Sequence, residues 1–372
     1  MRWPAEPVRA LGRAGRDVSG KPSALILAVA IAFGVVACDG GDRRGTTPEA
    51  APTASGPPGT AEPSLVAGSI DPSVGQGMEL FEVDADHAEY WRMFTLDRYD
   101  GELWTSTNPG GSEGGVTLSA PATLPGSGGG TPPGAETLIH TFRILSDFES
   151  AHSLPMAQTA EEIAGSVGEI TWDPARSQAF IHGPLEAGME YAVRSRIVVP
   201  TPEELDRVDH LAPRTYGQWT ELPAELDPKI GAMAERWSAA ATSSYRKVLA
   251  IQEHFHNGEF AYSTDVEAGA DVDSLLAFLT RTRVGFCQHY TAAMTVMVRE
   301  LGLPARIAVG FRPGTQQEDG GFLVRTGDAH VWVEVLFPGY GWLQFEPEPG
   351  PAPHPNAKPG TYLHPAVSTD TS

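Results

Sequence analysis

Gly285-Phe286-Cys287-Gln288-His289-Tyr290 opens a segment in which Tyr290, Met294, Met297, Val298 and Leu301 recur at helical spacing. The spacing predicts a helix over about 287–301, stopped by Gly302 and Pro304. A cysteine in the first turn of such a helix faces unpaired backbone N–H groups and the positive end of the helix dipole, and both stabilise a thiolate. The competing reading of this stretch alone is a small buried hydrophobe at a helix start. Residues on either side decide between the two.

Downstream, Ala305-Arg306-Ile307-Ala308-Val309-Gly310-Phe311 has the composition of a buried strand, followed by a Gly/Gln/Asp-rich loop over 313–321 and an apolar piece at 322–325. His330-Val331-Trp332-Val333-Glu334-Val335-Leu336-Phe337 reads as a further strand, turned by Pro338-Gly339-Tyr340-Gly341 into Trp342-Leu343-Gln344-Phe345-Glu346. A helix-opening cysteine, a histidine starting one strand and a carboxylate on the next is the order of a Cys–His–acid triad. In those roles Cys287 attacks a carbonyl carbon, His330 takes the thiol proton and returns it to the leaving group, and Glu346 fixes the imidazole. Backbone N–H groups at the helix start, that of Cys287 included, would meet the oxyanion.

The hairpin sets a geometric condition on that triad. If Phe337 pairs with Trp342 around a four-residue loop, His330 and Glu346 fall on opposite faces. A three- or five-residue loop, or a bulge, puts them on one face. The triad therefore predicts an odd loop or a bulge near Pro338–Gly341. Asp328, just before the histidine, is a rival orienting acid. Trp332 and Trp342 flank the hairpin, either as core or as walls of an acyl-binding cleft, and Gln288 follows the cysteine directly.

Several ordered motifs now stand together: Gly285-Phe286-Cys287, Arg299-Glu300-Leu301-Gly302-Leu303-Pro304-Ala305-Arg306, Val309-Gly310-Phe311, Asp328-Ala329-His330-Val331-Trp332-Val333-Glu334, Pro338-Gly339-Tyr340-Gly341-Trp342 and Phe345-Glu346-Pro347. They resemble the bacterial transglutaminase-like superfamily, most of all its membrane-associated protein-glutamine gamma-glutamyltransferases. The resemblance is dense over about 228–350. Tyr90-Trp91-Arg92 and Leu96-Asp97-Arg98-Tyr99-Asp100-Gly101 extend it more thinly into the region before that core. It implies an α+β fold, with a papain-like/transglutaminase-like core in which the helix-opening cysteine packs on an antiparallel sheet, preceded by a β-rich sandwich-like domain. It also implies that the family's Cys, His and Asp fall on Cys287, His330 and Glu346. Two departures bear on the site: the acid is Glu, and Gln288 stands where an acidic residue is common. The resemblance matches the extracytoplasmic portion of those membrane proteins, so the chain reads as a tethered version of that portion.

Upstream of the cysteine, helical patterns cover about 228–241 and 244–257, the second with Ser243 or Ser244 as cap. His254 and His256 face different ways on that helix and make no metal pair. From about 76 to 200 the texture is that of strands, including a hairpin expected from 90–96 into 102–105 through Asp100-Gly101 and a long Gly/Pro/Ser/Thr-rich loop at 107–137. His140, His152 and His182 are scattered there as ordinary strand or surface residues. The expected organisation is a β-rich N-terminal domain over 68–205, a transglutaminase-like domain over 206–350 and a disordered, Pro-rich tail over 351–372.

Residues 1–38 read as a signal or lipoprotein-type segment. Five basic and two acidic residues precede an apolar run over 24–37 that ends Val35-Val36-Ala37-Cys38, with Cys38 as the lipidated position. A short uncleaved membrane anchor is the alternative. A Gly/Pro/Ala-rich tether follows over 39–67. With Cys38 so explained, Cys287 has no intrachain partner, and a lone thiol on the extracytoplasmic side of a membrane is a liability unless it has a use. The formal charge of −21 over 372 residues excludes nucleic acid as a partner. The residues ask for no cofactor. The substrates expected are proteins or peptides of the envelope or beyond, processed at amide bonds through a thioester. Three functions stay open: acyl transfer to an amine, hydrolysis as a cysteine peptidase or amidase, and a non-catalytic envelope scaffold.

Overall fold

The computed structural model describes residues 77–349 and the backbone of 64–65, apart from 109–110, 112, 127–135, 149–151, 198, 209–215, 267–268 and 270. The segment 1–38 with Cys38, most of the tether and the tail over 351–372 lie outside the described residues.

The helix opened by the cysteine runs Cys287–Glu300, and every residue from Cys287 to Arg299 is buried. It is thus covered all round rather than along one stripe, as befits the central helix of a core. Pro228–Trp237 and Ser244–His256 pack on one side of it and the strands Ala305–Phe311 and Ala329–Phe337 on the other. Both flanking helices start where side chains cap them. Asp227 accepts from the Lys229 N–H, with Pro228 supplying a preset φ at the first helical position, and Ser243 accepts from the Arg246 N–H.

Among the described residues, the sheet against this helix has four antiparallel strands in the order Gly341–Phe345, Ala329–Phe337, Ala305–Phe311, Trp91–Leu96. The last strand comes from the β-rich region. Residues 90–96 were expected to pair locally with 102–105, but the Asp100-Gly101 turn joins only Arg98–Tyr99 to Trp104–Thr105. Trp91–Leu96 has all but one residue buried, so it needs cover on both faces, which an isolated hairpin lacks. Its register on Ala305–Phe311 shifts between Val309 and Gly310. A Cβ at Gly310 would lie 2.1 Å from the Trp91 carbonyl oxygen, so the close approach at the bulge needs glycine.

A second sheet, with seven strands among the described residues, also mixes early and late sequence: Phe322–Arg325 pairs with Glu79–Asp84, which pairs in turn with Glu136–Ile144. A smaller one sets Val116–Ser119 and Gln178–Ile181 on either side of Glu169–Asp173. Val116–Ser119 falls in the stretch expected to be loop; its largely exposed Val-Thr-Leu-Ser carries no apolar alternation to betray it. Two main cores result. One surrounds the cysteine helix and takes Val331, Val333, Val335 and Phe337 from the sheet. The other lies in the β-rich part around Phe81, Phe142, Trp172 and Tyr191. No helix among the described residues is long and apolar enough to cross a membrane.

Candidate active site

The cysteine is placed by its helix and by the glycine before it. Phe286 is extended (φ −120°, ψ −177°) and its N–H donates to Nδ1 of His289 at 3.4 Å. A Cβ on Gly285 would lie 2.8 Å from Cβ and Cγ of His289, so the turn into the helix closes only over a glycine. Cys287 emerges at the first position, 3% exposed.

The histidine and the acids are placed by the hairpin. Phe337 pairs with Gly341, leaving a three-residue connection, and the register runs through Leu336↔Trp342 and Glu334↔Gln344 to Val333↔Phe345. This is one of the odd loops that same-face placement requires. Continuing the register one and three pairs past the end of the strand sets Trp332 opposite Glu346 and His330 opposite Glu348. His330, Glu346 and Glu348 therefore share one face of the hairpin, while Val331, Val333, Val335 and Phe337 fill the core around the cysteine helix.

His330 is fully buried between the two acids. Its Nε2 lies 2.6 Å from Oε2 of Glu346, and its Nδ1 lies 3.9 Å from Oε2 of Glu348. The Cys287 thiol, a ring nitrogen of His330 and a carboxylate oxygen of Glu348 all lie within 4.8 Å of one another. Glu346 is held from several directions. The Tyr90 hydroxyl donates to its Oε2 at 3.0 Å, the Glu348 N–H donates to its Oε1 at 3.0 Å, and its own N–H donates to Oε1 of Gln252 at 3.0 Å. Arg312 donates to Oε1 of Glu348 at 2.7 Å.

With that geometry in view, comparison with known proteins is decisive. The family described as TgpA N-terminal domain matches residues 3–202, and the transglutaminase-like superfamily matches residues 231–347. The chain belongs to the bacterial transglutaminase-like superfamily. A protein-glutamine gamma-glutamyltransferase of Pseudomonas aeruginosa is 30% identical over 261 residues, which cover 69% of this chain and 35% of that protein. The chain thus spans about a third of that relative. The crystal structure of the periplasmic domain of TgpA from Pseudomonas aeruginosa is 26% identical, with a TM-score of 0.57 over 76% of this chain and 92% of that one. Its ethylmercury-bound form gives a TM-score of 0.55 over 74% and 92%.

The electrostatics of this transglutaminase-like site are set by burial. Burial pushes the Cys287 thiol well up, and Glu348 adds to the effect, while Arg312 and the Val331 backbone oppose it. The stabilisation of a thiolate expected from the helix start is outweighed at rest. Burial, with Arg312 beside it, lowers His330 to about 3. Burial raises Glu346 to about 7 against the pull of Arg312 and of the hydrogen bonds from Glu348 and Tyr90, and it raises Glu348 as well. The resting pair is a neutral thiol and a neutral imidazole. Because Nε2 faces a carboxylate, the network assigns the ring proton to Nε2 and leaves the Nδ1 lone pair open as a base.

Of the other residues singled out in the sequence, Trp332 is buried 4.8 Å from the Tyr90 ring and 6.4 Å from the His330 ring, so it backs the imidazole from inside the protein. Trp342 lies farther along the hairpin, with the Arg306 guanidinium 3.9 Å over its ring. Asp328 accepts from the Arg325 N–H at 2.7 Å, while the imidazole bonds to Glu346 instead. Gln288 is buried in the first turn, its Nε2 without a partner among the described residues. Glu348, Tyr90, Arg312 and Gln252 were not anticipated. Only Glu348 had a sequence signal, since a three-residue loop pairs position 348 with 330. Thiol, imidazole and carboxylate are also zinc-ligand types, a clustering that the spacing along the chain did not reveal. Coordination would require removing the thiol proton, which burial opposes.

Proposed function

We propose that this protein is a thiol-dependent acyltransferase acting on side-chain amides of proteins or peptides through a thioester on Cys287. The reading rests on one observation: the His330 imidazole is braced at 2.6 Å by Glu346 through Nε2, with a ring nitrogen within 4.8 Å of the thiol. In this mechanism Sγ attacks the amide carbon as its proton passes to Nδ1. The imidazolium so formed, stabilised by Glu346, protonates the departing nitrogen. Glu346 keeps its charge-stabilising role although longer than the aspartate of the family pattern, because Tyr90 and the Glu348 N–H fix both of its oxygens. Water or an amine then opens the thioester, with His330 acting as base.

The periplasmic origin of the related TgpA domain, together with the signal-type segment over 1–38, supports an extracytoplasmic location. Anchoring there would come through the N-terminal segment or a lipid on Cys38, and envelope proteins or peptidoglycan peptides would be the substrates within reach. The test is mass spectrometry of glutamine-containing peptides incubated with the protein, with and without a primary amine. Amine incorporation marks transfer, deamidation marks hydrolysis at the side chain, and chain cleavage marks a peptidase. Unchanged peptides across a broad set would favour the scaffold instead.

A further inference from the structure

Glu348 is the residue at this site that the acyl-transfer chemistry above leaves without a task. Glu348 is only 6% exposed, and its two oxygens are in different situations. Oε1 accepts from Arg312 at 2.7 Å. Oε2 has no hydrogen-bond partner among the described residues, although it lies 3.9 Å from Nδ1 of His330. A buried carboxylate oxygen left open costs free energy unless something occupies it. The position is fixed by the hairpin register and by Arg312, so it does not result from a loose surface side chain.

The charges around it are also unbalanced. Among the groups in direct reach, Glu346 and Glu348 face one arginine, a neutral imidazole and a neutral thiol, with only a weaker pull on Glu346 from His256, so with both carboxylates ionised these neighbours leave the pair one positive charge short. Burial raises both acids, and the neighbouring Glu346 adds to the rise at Glu348, against the pull of Arg312 on each. The missing charge lies beside the sulfur on which the thioester forms. Tyr262, which interacts electrostatically with both Cys287 and Glu348, is 41% exposed.

We infer that Glu348 is the docking group for the acceptor amine: its free Oε2 receives the ammonium of a primary alkylamine, such as a lysine side chain, and directs the acyl-enzyme toward amine transfer rather than hydrolysis. This rests on the acyl-transfer reading and names its acceptor. The steps balance. The ammonium gives one proton to Glu348, and the neutral amine nitrogen attacks the thioester carbon. The second proton passes through His330 to the departing sulfur as the C–N bond forms and the C–S bond breaks, and Glu348 returns its proton to solvent.

The test compares modification of Cys287 by cationic 2-aminoethyl methanethiosulfonate and neutral methyl methanethiosulfonate, each leaving a mixed disulfide and a sulfinate, read by peptide mass spectrometry. The wild-type protein should prefer the cationic reagent at least tenfold more than glutathione does. Glu348→Gln should reduce that ratio at least tenfold, and Glu348→Asp should retain part of it. A wild-type preference no greater than that of glutathione overturns the inference without any variant, as does a ratio unmoved in Glu348→Gln, which would leave Glu348 as a prop for His330. Ammonia release from glutamine peptides is scored separately. Release with a flat ratio sinks this inference alone, whereas no release from any donor sinks the acyl-transfer reading and the acceptor site with it.

Discussion

Nε2 of His330 and Oε2 of Glu346 meet at 2.6 Å although 16 residues separate them, because the three-residue connection after Phe337 puts both on one face of the hairpin. Glu346→Gln keeps the shape but exchanges an acceptor for an amide that can offer the ring its N–H, favouring the wrong tautomer. A fall in kcat/KM for ammonia release of about 10³- to 10⁴-fold is expected, by analogy with triads whose acid is so neutralised. Asp328→Asn disturbs a cap on Arg325 instead and should cost less than about tenfold, the scale of one modest hydrogen bond. A larger loss from Asp328→Asn than from Glu346→Gln would reverse the assignment.

Tyr90 tests the support behind that acid. Its hydroxyl donates to Glu346 at 3.0 Å, while its ring packs edge-on to His330 at a centroid distance of 5.5 Å. Tyr90→Phe keeps the packing and removes the donor, so Glu346 should titrate still higher. The expected loss in kcat/KM is about 3- to 10-fold, corresponding to roughly 1 kcal/mol for one hydrogen bond. An unchanged rate and pH profile would show that the hydroxyl has no part in holding the carboxylate.

What was legible in the sequence followed from local pattern. Cys287, His330 and Glu346 each sit beside a signal that survives without tertiary structure: a helix start, a strand start, and a turn whose length fixes parity. Glu348 lay two residues from a recognised position on the same face, but only the actual loop length selects it. Tyr90 and Arg312 had no local signal. Tyr90 reaches the site because the Trp91–Leu96 strand leaves its own hairpin to pair with Ala305–Phe311, and Arg312 because it follows that strand. Such pairings depend on which strand most needs two-sided cover, and that is decided by the assembled core rather than by neighbours in sequence. The neutral thiol has a related origin: the helix dipole acts locally, and enclosure by the whole fold outweighs it.

The reactivity of Cys287 checks that last point. With the thiol pushed up by burial, little thiolate exists at pH 7, so iodoacetamide should label Cys287 more slowly than an exposed thiol. The rate should climb by about tenfold per pH unit through the neutral and mildly alkaline range, as for any acid well below its pKa. His330→Ala should slow it further by removing the base. Labelling that is fast at pH 7, or that ignores His330, is incompatible with the neutral thiol–imidazole pair.

Glu334 tests what keeps the shared sheet together behind the site. It lies on the same face as His330, fully buried, and accepts from Arg92 of the early strand at 3.0 Å and from Nε of Arg306 at 2.7 Å. Burial alone would raise its carboxyl, but the two guanidiniums outweigh that and hold it below the usual range. A carboxylate so depressed contributes stability that is present above the ordinary carboxylate pKa and lost as pH falls through the folded value. Glu334→Gln leaves two buried cations without their counter-ion, and a loss of about 3–5 kcal/mol in urea unfolding at pH 7 is expected. The gap between wild type and variant should narrow as the pH is lowered below about 4.5, where the unfolded wild-type carboxyl takes up its proton. A variant as stable as wild type at pH 7 would mean that packing, and not this Arg–Glu–Arg contact, joins the Trp91–Leu96 strand to the sheet that carries His330.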